Sequence, residues 1–212
     1  MNSDTNLRSH WNKTYEKTEV EKLGWYEDIP EQSLQLIEKC NLDKKARILN
    51  AGSGASTLID TLLQLGYNNI IANDISENAL NKLKTRLGEA GSSKVDFIVD
   101  DLLNPSNLSR IEKVDLWHDR AVLHFFTDIA DQNAYFNLLN NLVKPKGFAI
   151  IATFNLNGAT KCSGLDVYRY DKAMIAEKIG NSFKLIDAFD YTYTMPSGNT
   201  REYVYTLFQR IN

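Results

Sequence analysis

What the 212-residue chain has little of narrows its class before any motif is read. It holds two cysteines, Cys40 and Cys162, far apart and in no CxxC pair. That excludes a disulfide framework and a cysteine-based zinc site, and it suits a reducing cytoplasm, so no metal is expected. No apolar run approaches the roughly 20 residues a membrane helix needs. The opening MNSDTNLRSHWNKTYEK has no apolar signal core. A surplus of charge is missing too: 24 Lys and Arg against 27 Asp and Glu leave a net −3. Nucleic acid and anionic membranes draw on a basic surplus, so neither is expected as a partner. There are only four prolines, no repeat and no low-complexity tract, in a chain that is 43% hydrophobic. Such a length suits one domain whose core needs no covalent staple.

What recurs is an apolar run, a turn and a helical pattern. ARILN (46–50) reads as a strand entering Gly52 and Gly54. Leu58, Ile59, Leu62, Leu63 and Leu65 then keep helical spacing up to Gly66, a natural C-cap. IIAN (70–73) is a second strand, and Ser76 caps a helix carrying Leu80, Leu83 and Leu87 that ends at Gly88. VDFIVD (95–100) and VDLWH (114–118) are further strands. A helix over 132–143 is broken by Pro145-Lys146-Gly147, and GFAIIATF (147–154) is apolar enough to be covered on both faces. This alternation predicts an α/β fold with a mostly parallel sheet and helices on both sides. FKLIDAFDYTYT and REYVYTLFQR, flanking Met195-Pro196-Ser197-Gly198, read as an antiparallel hairpin at its edge.

In such sheets ligands sit beyond the carboxyl ends of the strands. Polar residues and glycines gather there. Asn50, Gly52, Ser53 and Gly54 follow the first strand; glycines admit positive φ and close approach, and the next helix begins with free N–H groups. Asp74 follows the second strand, where a carboxylate can accept both hydroxyls of a ribose; its bland alternative is a helix cap. Asp100, Asp101 and Leu102 follow the third, placed to hold an adenine edge or to be solvated loop residues. A dinucleotide fingerprint G-x-G-x-x-G is broken, because Thr57 stands at the third glycine position. NAD therefore falls behind.

ILNAGSGAS (48–56), IANDIS (71–76), IVDDLL (98–103) and LVKPKGFAIIATF (142–154) together resemble the class I S-adenosylmethionine (SAM)-dependent methyltransferases, over nearly the whole chain. WHDRAVLHF (117–125), HWNKTYEK (10–17), GWYED (24–28) and KCSGLDVYRYD (161–171) are similar to a small bacterial subgroup of that family. The resemblance implies a Rossmann-like seven-stranded sheet of order 3-2-1-4-5-7-6 with strand seven antiparallel. It implies SAM as cofactor, a methyl-transfer reaction, and an acceptor that is a small molecule or a protein side chain. It carries the cofactor roles onto the glycine loop, onto Asp74 and the adjoining Ile75, and onto Asp100, Asp101 and Leu102. Many members have an acid where this chain has Asn50, which there orients the methionine amino group; an amide offers an oxygen but no charge. A non-catalytic SAM-fold binding module is the alternative that Asn50 favours. The expected organisation is one domain over 1–212: an N-terminal helical cap (1–45), a cofactor-binding half (46–154) and an acceptor-side half with the hairpin (155–212).

Methyl transfer from a sulfonium needs an aligned nucleophile and, for some acceptors, a proton acceptor. His118, at the end of the fourth strand, and His124, six residues on, are candidate bases, each weighed against a structural hydrogen bond or a core position. Arg120 is a candidate for orienting these rings or the methionine carboxylate, or for a local ion pair. Trp25 and Tyr26 are candidates for a lid over the cofactor, or for packing. Because no strand pairing holds this segment, residues 1–28 are expected to be the most mobile part of the free protein and to order when cofactor binds. Hydrogen exchange on amides 10–28, with and without S-adenosylhomocysteine, should show protection gained with ligand; high and unchanged protection would make these aromatics plain packing.

Overall fold

Short apolar strands, each followed by a helix, allow a chain to cover both faces of a parallel sheet as it is laid down. The computed structural model describes residues 3–211; Met1, Asn2 and Asn212, the outermost ends of the expected cap and hairpin half, lie outside them. Five parallel strands come first: β1 (Ile48–Ala51), β2 (Ile70–Asp74), β3 (Val95–Val99), β4 (Val114–Arg120) and β5 (Val143–Phe154). Then β6 (Lys161–Cys162) and β7 (Leu165–Asp166) pair only with each other, and β8 (Phe183–Thr194) and β9 (Thr200–Arg210) form the hairpin. The sheet order is β3-β2-β1-β4-β5-β9-β8, which is the expected 3-2-1-4-5-7-6 once the small ladder is set aside. β9 runs antiparallel to both of its neighbours.

The helices are α1 (Ser3–Lys17), α2 (Glu31–Lys39), α3 (Leu58–Gln64), α4 (Glu77–Ser92), α5 (Ile129–Leu142) and α6 (Lys172–Ile179). The period of two along each strand sorts the core into two layers. Ile48, Ala72, Leu116 and Ile150 meet Leu36, Leu58, Leu62 and Leu83 from α2, α3 and α4. Their chain neighbours Leu49, Ile71, Trp117 and Ile151 meet Tyr135, Leu139, Ile175 and Ile179 from α5 and α6. All of these are buried, each apolar side chain stabilising the fold by about 1.5–3 kcal/mol relative to exposure. The cap is attached differently: Asn12 of α1 accepts from Ser76 Oγ at 2.8 Å and from the Asn78 N–H at 3.3 Å, at the start of α4.

Three boundaries depart from the sequence reading. Gly88 does not stop α4 but kinks it, at φ 64° and ψ −176°. Pro145-Lys146-Gly147 is a bulge inside β5, where the pairing jumps between Val114 and Leu116, instead of a turn ahead of the strand. Lys144 anchors that bulge on the Asp115 carboxylate at 2.9 Å. Most consequential, β4 runs two residues past His118 to Arg120. His118 and Arg120 therefore share the α2 face, and Asp119 points to the other.

Asp119 shapes the turn that follows. It accepts from the N–H groups of Val122 at 3.0 Å and Leu123 at 3.1 Å, around Ala121 in the left-handed region at φ 70°. The Tyr135 hydroxyl donates to the same carboxylate at 2.6 Å and accepts from the Trp117 indole at 3.2 Å. Burial pushes the Asp119 carboxyl up to about 7, against the pull of those three donors. Tyr135→Phe removes one donor and orphans the indole N–H, so it should cost about 2 kcal/mol of stability in urea denaturation; an unchanged midpoint would show that the Asp119 anchor does not depend on Tyr135.

Candidate active site

The first βα loop turns sharply because two glycines adopt conformations that side chains disfavour. Gly52 has φ 58°, and a Cβ there would lie 2.2 Å from Val122 Cγ2; Gly54 has φ 53°, and its Cβ would lie 2.2 Å from the Tyr15 hydroxyl oxygen. The groups that approach the loop are thus the protein's own, one from the turn after β4 and one from α1. Asp74 fastens the loop from the next strand: one carboxylate oxygen accepts from the Gly54 N–H at 2.7 Å, the other from the Ser76 N–H at 2.8 Å. Burial raises its pKa to about 6, opposed by these backbone donors. The helix-cap alternative for Asp74 does not describe α4, whose cap is Ser76, accepting from the Ala79 N–H at 3.2 Å.

Every predicted site residue except Gly54 and His124 lines one cavity of about 1210 Å³, part of it open to solvent: Trp25, Asn50, Gly52, Ser53, Asp74, Ile75, Asp100, Asp101, Leu102, His118 and Arg120. The cavity runs along the strand ends from Asp101 and Leu102, past Asp74 and Asn50, to Arg120, Glu27 and Cys162. Its outer wall is aromatic: Trp11, Tyr15, Trp25, Phe125 and Phe126. Trp11 packs edge-on against both Trp25 and Phe125, at centroid separations of 5.6 and 5.0 Å.

Asp100, expected either to hold an adenine edge or to be a solvated loop acid, is not solvated: its carboxylate takes the N–H groups of Ser106, Asn107 and Leu108, the last two at 2.8 Å. Burial alone would raise its pKa; the Leu108, Ser106 and Asn107 donors outweigh burial and hold it below the usual range. Asp100 therefore anchors the loop after β3 while it lines the cavity beside Asp101 and Leu102.

The two histidines are not brought together. His118 is buried, its Nδ1 3.1 Å from Asn50 Oδ1 and its Nε2 2.9 Å from Ser33 Oγ of α2, so neither ring nitrogen is open to a second partner. His124 lies off the cavity, fully buried, stacked on Phe154 at 4.3 Å and edge-on to Phe125 at 4.4 Å. Neither of its nitrogens has a hydrogen-bond partner. Burial, with the nearby Arg120 charge second, lowers both histidine pKa values to about 3.

Arg120 closes the far end. Its Nη1 donates to the Trp25 carbonyl at 2.8 Å, and its Nε lies 3.0 Å from both the Glu27 carboxylate and the Tyr205 hydroxyl. Its guanidinium carbon sits 4.9 and 5.1 Å from the ring centroids of Tyr193 and Tyr203. The Tyr193 hydroxyl donates to the Tyr26 carbonyl, and Thr57 Oγ1 to the Glu27 carbonyl at 2.8 Å. Three successive carbonyls, 25 to 27, are thus held by β4, β8 and the start of α3, where the sequence offered no strand pairing. Glu27, Ser33, Asn12 and Val122 were missed as site residues. Their roles come from contacts across the fold that no spacing announces.

The arrangement suits a nucleoside-bearing ligand. Asp74 and Asp101 stand at successive strand ends, and Asn50, which lines the cavity, has a buried amide nitrogen without a partner. Comparison with known proteins agrees. The family described as "Methyltransferase domain" matches residues 42–209. EEF1A lysine methyltransferase 2 of Mus musculus is 24% identical over 177 residues, covering 76% of this chain and 69% of that protein. A SAM-dependent methyltransferase from Anabaena variabilis superposes with a TM-score of 0.79 at 13% identity, covering 99% of this chain and 96% of that one. Magnesium protoporphyrin IX methyltransferase of Synechocystis, with S-adenosylhomocysteine bound, gives a TM-score of 0.71 at 18% identity, covering 99% and 100%. At such identities the two superpositions speak for the fold.

His124 offers a test of its core placement. A histidine whose folded pKa is depressed stabilises the fold above its unfolded pKa, near 6.5, and that stability is lost as pH falls toward the folded value of about 3. Relative to wild type, His124→Phe should therefore gain about 1.4 kcal/mol of stability per pH unit between pH 6 and 4. Urea midpoints that shift in parallel over that window would show the ring to be protonated in the native protein.

Proposed function

The chain belongs to this methyltransferase-domain family, and on that premise we propose how its cavity moves a methyl group from SAM to a small-molecule or protein side-chain acceptor by direct displacement. The observation that carries the reading is the row of strand-end groups around one cavity, with Asp74 fastening the glycine loop from the neighbouring strand. In this reading Asp74, beside Ile75, accepts from the ribose hydroxyls through the lone pairs its backbone bonds leave free. Asp101 and Leu102 frame the adenine. Gly52, Ser53 and Gly54 follow the chain of the methionine half toward Asn50, and Trp25 covers the sulfonium. Residues 1–45 act as the cap, 46–154 as the cofactor half and 155–212 as the acceptor side, in a protein whose two widely spaced cysteines suit the cytoplasm. No helix among the described residues is long and apolar enough to cross a membrane.

The bound sulfonium supplies an already activated methyl group. What remains for the chain is to align an acceptor and exclude water, and alignment of this kind can be worth several kcal/mol. We assign the taking of a proton to neither histidine: His118 has both nitrogens engaged and His124 lies off the cavity. Arg120 and Glu27 bound the acceptor end. A protein lysine is the acceptor named for the mouse relative, and it stands beside small molecules as a candidate for this chain.

Asp74→Ala should weaken SAM binding at least about tenfold, equivalent to about 1.4 kcal/mol. Calorimetry on a folded variant checks this; an unchanged affinity would remove Asp74 from the site, and micromolar binding of NAD to the wild type would favour the nucleotide-linked alternative. S-adenosylhomocysteine released with one acceptor of a panel identifies the substrate, whereas cofactor binding without release across small molecules and lysine peptides would favour a binding module.

A further inference from the structure

Asn50 ends in a buried amide whose oxygen faces His118 Nδ1 at 3.1 Å and whose nitrogen has no partner. His118 Nε2 lies 2.9 Å from Ser33 Oγ on α2. The three residues are 3%, 2% and 1% exposed. Asn50 and His118 both line the cavity.

This chain of three groups can be wired in two ways. An amide keeps its shape when its oxygen and nitrogen exchange places, and a neutral imidazole carries one N–H. In the first wiring Ser33 donates to His118, His118 Nδ1–H donates to the Asn50 oxygen, and the amide NH2 is left at the cavity. In the second, the Asn50 NH2 donates to His118 Nδ1, His118 Nε2–H donates to Ser33 Oγ, and the amide oxygen is left at the cavity. The first wiring leaves both amide N–H groups without an acceptor; the second leaves one of them and the Ser33 hydroxyl proton, so the two differ little before any ligand arrives. The second presents an acceptor, which suits a ligand ammonium and repels a ligand carboxylate.

We propose that His118 and Ser33 are positioning residues that hold the Asn50 amide with its oxygen toward the cavity, to accept from the ammonium of the methyl donor's methionine half. The proposal rests on the cofactor reading above. Burial and the Arg120 charge keep the ring neutral, so it holds one proton and the chain has a direction. Three uncharged groups, one of them on α2, then present the acceptor. The bonding of His118 on both nitrogens, which is poor design for a base, is what this task requires.

Heteronuclear NMR on nitrogen-labelled wild-type protein with S-adenosylhomocysteine bound reads the tautomer directly, with the His118 signals assigned by their loss in His118→Gln. The expected result is a proton on Nε2 and a bare Nδ1; a proton on Nδ1 overturns the proposal. Calorimetry then compares S-adenosylhomocysteine with 5′-methylthioadenosine, which keeps the nucleoside and lacks the ammonium. Ser33→Ala should weaken the first ligand by about fivefold to tenfold, the loss of one hydrogen bond's worth of positioning, and leave the second within about twofold. Equal loss for both ligands would mean a merely structural role and overturn the proposal. Asn50→Asp, whose carboxylate must accept from the ring, should move the His118 proton to Nδ1 and keep or increase the preference for S-adenosylhomocysteine. Wild-type protein that binds neither nucleoside overturns the cofactor reading and this proposal with it; binding of both with the Nδ1 tautomer overturns this proposal alone.

Discussion

The guanidinium of Arg120 joins the three parts of the molecule that enclose the cavity. It belongs to β4, it holds the Trp25 carbonyl and the Glu27 carboxylate of the N-terminal segment, and it lies against the Tyr193, Tyr203 and Tyr205 side chains of the terminal hairpin. A buried ion pair of this kind adds little net stability over an apolar replacement, since desolvation offsets most of the attraction. Removing one partner is another matter, because the remaining charge would be stranded. The pair is better understood as fixing a geometry, beside Tyr193 and Thr57, which hold carbonyls 26 and 27.

The placement of Arg120 follows from the alternation along β4. Had the strand ended at His118, the next two residues would have been free to turn either way. Pairing of Asp119 with Ile151 and Arg120 with Ala152 forces them to opposite faces. Asp119 is thereby delivered to the α5 layer, where Tyr135 and two backbone N–H groups receive it, and Arg120 to the cavity. The buried groups of this region have opposing acid responses. His118 and His124 lose stability as pH falls below about 6.5, because the unfolded chain takes up protons that the native rings refuse. Asp74 and Asp119, raised to about 6 and 7, take up protons in the native state before the unfolded chain does, so their contribution grows over the same interval. Two groups of each sign leave the region as a whole less sensitive to mild acid than any one of them.

The sheet was legible in the sequence because covered parallel strands are apolar on both faces, and IIA (70–72) and FAIIATF (148–154) are such runs. The cofactor end of the cavity was legible for a related reason: Asn50, Gly52, Asp74 and Asp101 are placed by the strands that carry them. What was not legible has a different cause. The bonding of the Asp100 carboxylate was hidden because its partners, the N–H groups of residues 106–108, belong to a loop whose path no periodicity describes. His124 was weighed between a base and a core position, and the left-handed Ala121, which no spacing announces, turns the chain into the core between it and His118. The plugging of Gly54 by Tyr15, and the bonds from Asn12 to the start of α4, link segments more than 35 residues apart. Side-chain bonds of that range leave no trace in a single sequence.

With His118 bonded on both sides and His124 in the core, the proton of an acceptor has to leave by another route or be absent from the outset. Glu27 is the carboxylate at the end of the cavity away from Asp74, and burial raises its pKa while Arg120 pulls it down. Arg120 holds it there, on a segment whose carbonyls are themselves fastened. On the reading proposed here, the strap that covers the cofactor and the group that meets the acceptor are therefore one piece of chain, and releasing the strap would open the cavity to water and withdraw its acceptor-side charge in the same movement. An acceptor that contacts Glu27 would favour the closed arrangement through that contact alone, so that closure and alignment become a single equilibrium and not two successive steps.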